Sequence, residues 1–131
     1  MNKEKFIALL VAALHGISVH QDLILELLGI LKSSGSEQAF LDILIARLKF
    51  LDERGIHAVR HQEFALLDQG IYSMHLARKE FNIRILYCFL SDGRPALLCA
   101  FFERAGHKDT DYTHEIPKAV QRRKELEEEL S

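Results

Sequence analysis

"GIYSMHLARKEFNIRILYCF", residues 70–89, carries the strongest strand signal in the chain. Two runs rich in β-branched and aromatic residues flank a short charged patch, which is the pattern of two neighbouring strands joined by a tight turn. A third such run covers 95–103, and "SDGRP" between Ser91 and Pro95 supplies the turn residues for a second hairpin. The spacing therefore predicts an antiparallel meander over 70–77, 82–90 and 95–103. In the middle run Ile83, Ile85, Tyr87 and Phe89 alternate onto one face, while Leu86, Cys88 and Leu90 share the other with Arg84. A strand apolar on both faces is central and largely covered.

Helices are legible on either side in the sequence. Ser18 and Gln21 stand three apart as a capping box for a helix running to about Lys32, with Leu23, Leu27, Leu28 and Leu31 at helical spacing. A second helix starts after Ser36, aligns Phe40, Leu41, Leu44, Leu48 and Leu51, and stops at Gly55. At the far end, "THEIPKAVQRRKELEEELS" predicts a helix capped by Thr113 with Pro117 in its first turn, where a missing N–H is tolerated. Its last residues, 125–131, hold four glutamates and are expected to fray as an acidic tail. The apolar run from Phe6 to Leu14 reads equally as a short helix or as an added N-terminal strand. The expected fold class is α+β: a helical hairpin packed on an antiparallel meander, then a C-terminal helix.

A chain of 131 residues, 48% of them hydrophobic and 27% charged, suits one domain with a single core over 1–131. The Phe6 to Leu14 run follows Lys3 and Lys5 as in a secretory leader. It lacks a small-residue cleavage site, however, and falls short of the roughly 18 apolar residues a membrane span needs. Cys88 and Cys99 sit inside apolar runs and not at disulfide-framework spacing, so both are expected to be reduced and buried, in the cytoplasm. The net charge of −2 is unevenly spread: between residues 70 and 124 ten lysines and arginines face six acids. That local excess points toward a phosphate-bearing partner.

Three local sequences resemble the RelE/ParE toxin superfamily, in particular its HigB-like, phage-derived branch. They are "LLDQGIYSMH" (residues 66–75), "IRILYCF" (83–89) and "LLCAFFERAGHKDTDYTHEIPKAVQRR" (97–123). The likeness runs from about 37 to 126, and residues 1–35 match weakly. It implies a small α+β, RelE-like domain that cleaves messenger RNA on the ribosome as a growth-inhibiting toxin. It further implies neutralisation by a cognate antitoxin, commonly of helix-turn-helix type, and use of no metal or other cofactor. Position by position, Arg84 matches the family's strand arginine, Arg104 the second of its paired lysines, and Lys108 a later lysine of the same loop. Four positions depart from the pattern: His75 stands for an arginine, Ser73 for a glutamate, Ala65 for a frequent lysine, and Glu103 for the first paired lysine.

Cleavage of RNA through its own 2′-hydroxyl requires that hydroxyl to lose a proton, the phosphorane charge to be balanced, and the 5′-oxygen to be protonated. Arginine suits the second role, because its planar fork grips phosphate oxygens and stays charged. Arg84 and Arg104 are the expected candidates. Histidine suits proton transfer near neutrality, which nominates His75. His107, Lys108, Arg78 and Lys79 are the expected substrate-binding residues. Three other outcomes stay open: ordinary ion pairing of Arg84 with Glu103 or Glu80, a toxin-like module that binds an antitoxin without cutting RNA, and gyrase poisoning on the same fold. No zinc-ligand spacing, Gly-rich phosphate loop or nucleophile elbow is present, and Cys88 lies in surroundings that suppress its thiolate.

Overall fold

The computed structural model describes all 131 residues, apart from the side chain of Lys108. Three helices come first, α1 (Lys3–Ala13), α2 (Gln21–Ser33) and α3 (Glu37–Arg54), followed by a 3-10 turn over Gly55–Arg60. The strands are β1 (Ser18–Val19), β2 (Phe64–Leu66), β3 (Tyr72–Arg78), β4 (Phe81–Phe89) and β5 (Pro95–Phe102), and α4 (Lys108–Leu130) closes the chain. They form one five-stranded mixed sheet in the order β1-β5-β4-β3-β2, antiparallel throughout except for the parallel β1–β5 edge. The α+β class and the three-strand meander are as the sequence predicts.

Residues 6–14 resolve as helix: α1 buries Phe6 and Leu10 against α2 and α3. The added strand is instead Ser18–Val19, inside the expected capping box. The N-cap of α2 is accordingly His20, whose Nδ1 accepts the Asp22 N–H at 3.1 Å. Its Nε2 lies 2.8 Å from the Glu125 carboxylate.

β4 is central, and the two core clusters divide along its faces. Ile83, Ile85 and Tyr87 pack with Phe40, Leu44, Leu48 and Leu27 from the N-terminal helices. Leu86, Cys88 and Leu90 pack with Ala119 and Leu126 of α4. A bulge between Leu86 and Tyr87 inserts Leu98 into β5, so that Leu98 and Cys99 both face α4. Gly70 begins β3's approach in the left-handed region (φ 73°), and a Cβ there would come within 3.1 Å of Arg123 Nη1. The backbone there favours glycine, and a Cβ would oblige the end of the Arg123 side chain to give by a few tenths of an ångström.

α4 starts at Lys108, five residues before the expected cap, because Asp111 N–H reaches the His107 carbonyl at 2.8 Å and turns the chain early. Pro117 therefore lies inside the helix. The acidic end does not fray either: Glu127 accepts from the Ser91 N–H and hydroxyl, both at 2.7 Å, and Glu125 engages His20. These carboxylates find donors on the sheet's turn and on α2, which offsets their mutual repulsion.

Where two-residue β1 stops, side chains continue the closure of β5. Glu26 accepts the Ala100 N–H at 3.0 Å, and Arg122 donates to Glu26 at 2.8 Å and to the Leu98 carbonyl at 2.9 Å. Lys118 adds a bridge at 3.3 Å. Burial alone would raise the Glu26 carboxyl. The Arg122 and Ala100 hydrogen bonds and the two cationic charges outweigh it and hold the group below its ordinary value of 4.5. A carboxylate with a depressed folded value stabilises the fold above its unfolded value and loses that contribution as pH falls through the folded one. Glu26→Gln should therefore lower stability at pH 7 by about 1–3 kcal/mol in urea unfolding. It should also flatten the loss of stability below about pH 4.5. An unaltered acid limb would contradict this role.

Candidate active site

Of the sequence-predicted residues, His75 and Arg84 come together on the α4 face of the sheet. Register places His75 opposite Arg84 and Arg84 opposite Phe101, with Ala77 opposite Asn82 one step nearer the β3–β4 turn. All of these point to the α4 side. The Glu103 N–H donates to the Asn82 carbonyl at 2.9 Å, which holds the chain beyond β5 against the same corner.

Arg84 and Glu103 form the centre. Arg84 Nε donates to Glu103 Oε2 at 2.8 Å, and the two side chains are only 16% and 8% exposed. The Glu103 pairing left open by the sequence is thus what forms, and Glu80 is not the partner. Tyr112 of α4 packs edge-on against Phe101 at 6.2 Å and faces Arg84, Glu103 and Ser73. Burial pushes its phenol up; Glu103 adds to the rise and Arg84 opposes it.

His75 is engaged through both ring nitrogens. Nδ1 lies 3.0 Å from the Glu63 carboxylate, and Nε2 meets the side-chain oxygen of Asn82. An ionised carboxylate only accepts, so Nδ1 carries a proton, and the Asn82 oxygen, also only an acceptor, calls for one on Nε2. The His75 carbonyl accepts from Arg47 Nε at 2.9 Å, so the strand is pinned from the opposite layer as well.

Arg104 stands at the rim with a side chain 57% exposed. It donates from Nε and Nη2 to Asp111 Oδ1, at 2.9 and 2.6 Å, while its N–H reaches Oδ2 at 3.0 Å. Those bonds hold the Asp111 carboxyl below the usual carboxylate range. Arg104 therefore braces the first turn of α4 by holding Asp111, a role the sequence did not show.

The expected substrate binders are dispersed. Arg78 and Lys79 are exposed at the β3–β4 turn, where Arg78 donates to the neighbouring Ala77 carbonyl. His107 is exposed as the N-cap of α4 without a side-chain cap bond. The Lys108 side chain lies outside the described residues.

The sequence offers Glu103 as a partner for Arg84 but not as a reactive group, and Tyr112 joins the corner because α4 begins before it. Glu103 follows β5 at the position that continues Arg84's face. Beside the corner, Tyr112, Asp68, Gln69, Thr113, Ile116 and Pro117 line a hollow of about 240 Å³. Among the described residues, no group of three or more His, Cys, Asp or Glu could hold a metal ion. No described helix is long and apolar enough to cross a membrane. No family model matches the chain, and no curated protein matches it.

The cysteines take no part in the corner. Cys88 and Cys99 are buried and unbridged. Burial pushes the Cys88 thiol up to about 12 and raises Cys99 as well. A thiol-specific chromogenic reagent should thus label the native chain slower than the urea-unfolded chain by roughly two orders of magnitude or more. Rapid labelling of one thiol in the native state would contradict that burial.

Proposed function

We propose that this chain is an endoribonuclease toxin of the RelE/ParE kind that cuts messenger RNA on the ribosome and is restrained by an antitoxin. One observation carries the reading: a largely buried Arg84–Glu103 pair with His75 opposite Arg84 on the neighbouring strand and Tyr112 of α4 packed beside it. The ordered motifs of residues 66–123, and the succession of helices, meander and C-terminal helix, support it further.

The corner supplies three groups, and each has a task. Glu103, ionised, takes the proton of the 2′-hydroxyl, and the freed oxygen attacks the adjacent phosphorus. Arg84 balances the charge that builds on the non-bridging oxygens, as a fixed donor in a water-poor site. His75, in its protonated form and released from Asn82, gives the Nε2 proton to the departing 5′-oxygen and takes another from solvent, with Glu63 holding the ring. The products are a 2′,3′-cyclic phosphate and a 5′-hydroxyl, and the proton taken by Glu103 later returns to solvent. This assignment gives Glu103 the role of base and moves Arg104 from chemistry to support of α4.

A second reading draws on a specific observation as well. Both motif arginines already hold carboxylates, Arg84 with Glu103 and Arg104 with Asp111, so the corner is nearly neutral. On this reading the chain keeps the fold to bind an antitoxin and leaves RNA intact.

Induced expression in a bacterial host separates the two. The nuclease reading expects growth arrest with cut messages, relieved by Arg84→Ala, His75→Ala and Glu103→Gln, each lowering cleavage by about 10²-fold or more. Harmless expression with intact messages would leave the binding module. Arrest unchanged in all three variants would remove this corner as the site.

A further inference from the structure

A second cluster of basic and aromatic side chains lies apart from the corner, at the C-terminal end of α3. Phe50, Arg54, His57, Arg60 and His61 line a hollow of about 310 Å³. The Arg54 guanidinium sits 5.3 Å from the centre of the Phe50 ring. Phe50 in turn stacks on Phe64 at 5.3 Å and meets the His61 ring at 5.2 Å. His61 Nδ1 accepts the Glu63 N–H at 3.1 Å, so in the neutral ring the proton lies on Nε2. The aromatic floor is fixed by the core, and the cations around it are exposed.

What distinguishes this cluster from the corner is its unbalanced charge. Among the described residues, no carboxylate pairs with Arg54, His57 or Arg60, and Glu63 commits its carboxylate to His75. One cation would answer the dipole at the end of α3. Two arginines and two histidines around one hollow exceed that need.

We propose that this hollow binds single-stranded nucleic acid, with Arg54 and Arg60 on successive phosphates and a base stacked on the Arg54–Phe50 platform. A guanidinium plane backed by an aromatic ring is a stacking surface for any base, and the adjacent cations neutralise its phosphates. An acidic peptide would use the charge but leave the platform idle. Glu63 links the two places: its N–H fixes His61 and its carboxylate fixes His75. A strand held here is thereby led around the β2 edge toward His75. Only that last step rests on the nuclease reading; the binding itself does not.

The test uses a fluorescent all-deoxy single strand of twelve nucleotides, which has no 2′-hydroxyl and cannot be cut by the route above. Anisotropy against salt gives affinity and slope. Arg54→Gln/Arg60→Gln should weaken binding about tenfold or more and reduce the salt slope by about 1.4, as loss of two phosphate contacts on a single strand requires. Because Arg54 packs on Phe50, His57→Gln/Arg60→Gln is the companion variant: it spares the platform and should weaken binding several-fold with an unchanged melting temperature. Lys3→Gln/Lys5→Gln, an equal charge change on α1, should leave affinity within about twofold. Equal weakening by that control, unchanged slopes in both site variants, or displacement of the strand by polyglutamate of matched charge as readily as by unlabelled strand would each overturn the proposal.

Discussion

β4 must be covered on both faces, and most of the architecture follows from that constraint. Ile83, Ile85 and Tyr87 demand an apolar layer on one side, which α2 and α3 supply; Leu86, Cys88 and Leu90 demand another, which α4 supplies. The interruption is Arg84, a cation on a strand otherwise buried at nearly every position from Ile83 to Cys88. A guanidinium there needs a partner or water. It has Glu103 as partner, and the corner around it is where polar chemistry concentrates. The question raised by a basic residue in a core strand is thus answered by a carboxylate just past the end of β5.

The pairing of each cation sets the character of this corner. A bare cluster of arginines would attract phosphate strongly, whereas Arg84 with Glu103 offers a donor and an acceptor side by side. For a reaction that must remove one proton and balance one developing charge, such a pair is complementary to the transition state more than to the bound strand. Binding strength would then have to come from elsewhere. The unbalanced arginines beyond α3 are suited to that part, and Glu63 joins the two regions through a single residue.

Much of this was legible in the sequence because it depends on periodicity. The alternation of 83–89 and the turn at Ser91–Pro95 gave the meander, and the leucine stripes gave α2 and α3. The elements misread are those governed by distant partners. Phe6 to Leu14 has no decisive period, so only packing against α2 and α3 makes it helix. Glu125 and Glu127 repel one another locally and are held by His20 and Ser91, more than thirty residues away in the chain. α4 begins early because Asp111 can accept from Arg104, a contact invisible until the chain turns. At the site, His75, Arg84 and the Arg84–Glu103 pairing were legible in the sequence, but the choice of Glu103 over Glu80 and the burial of the pair were not, since both depend on where the chain runs after β5.

In the proposed reaction the Arg84–Glu103 corner moves the 2′-hydroxyl proton and balances the phosphorane charge. The most direct measurement is the end chemistry of a message exposed to the purified protein on programmed ribosomes. The account predicts breaks carrying 2′,3′-cyclic phosphate and 5′-hydroxyl ends, abolished when the nucleotide 5′ to the break lacks its 2′-hydroxyl. Uncut message, or breaks with 5′-phosphate ends, would contradict it.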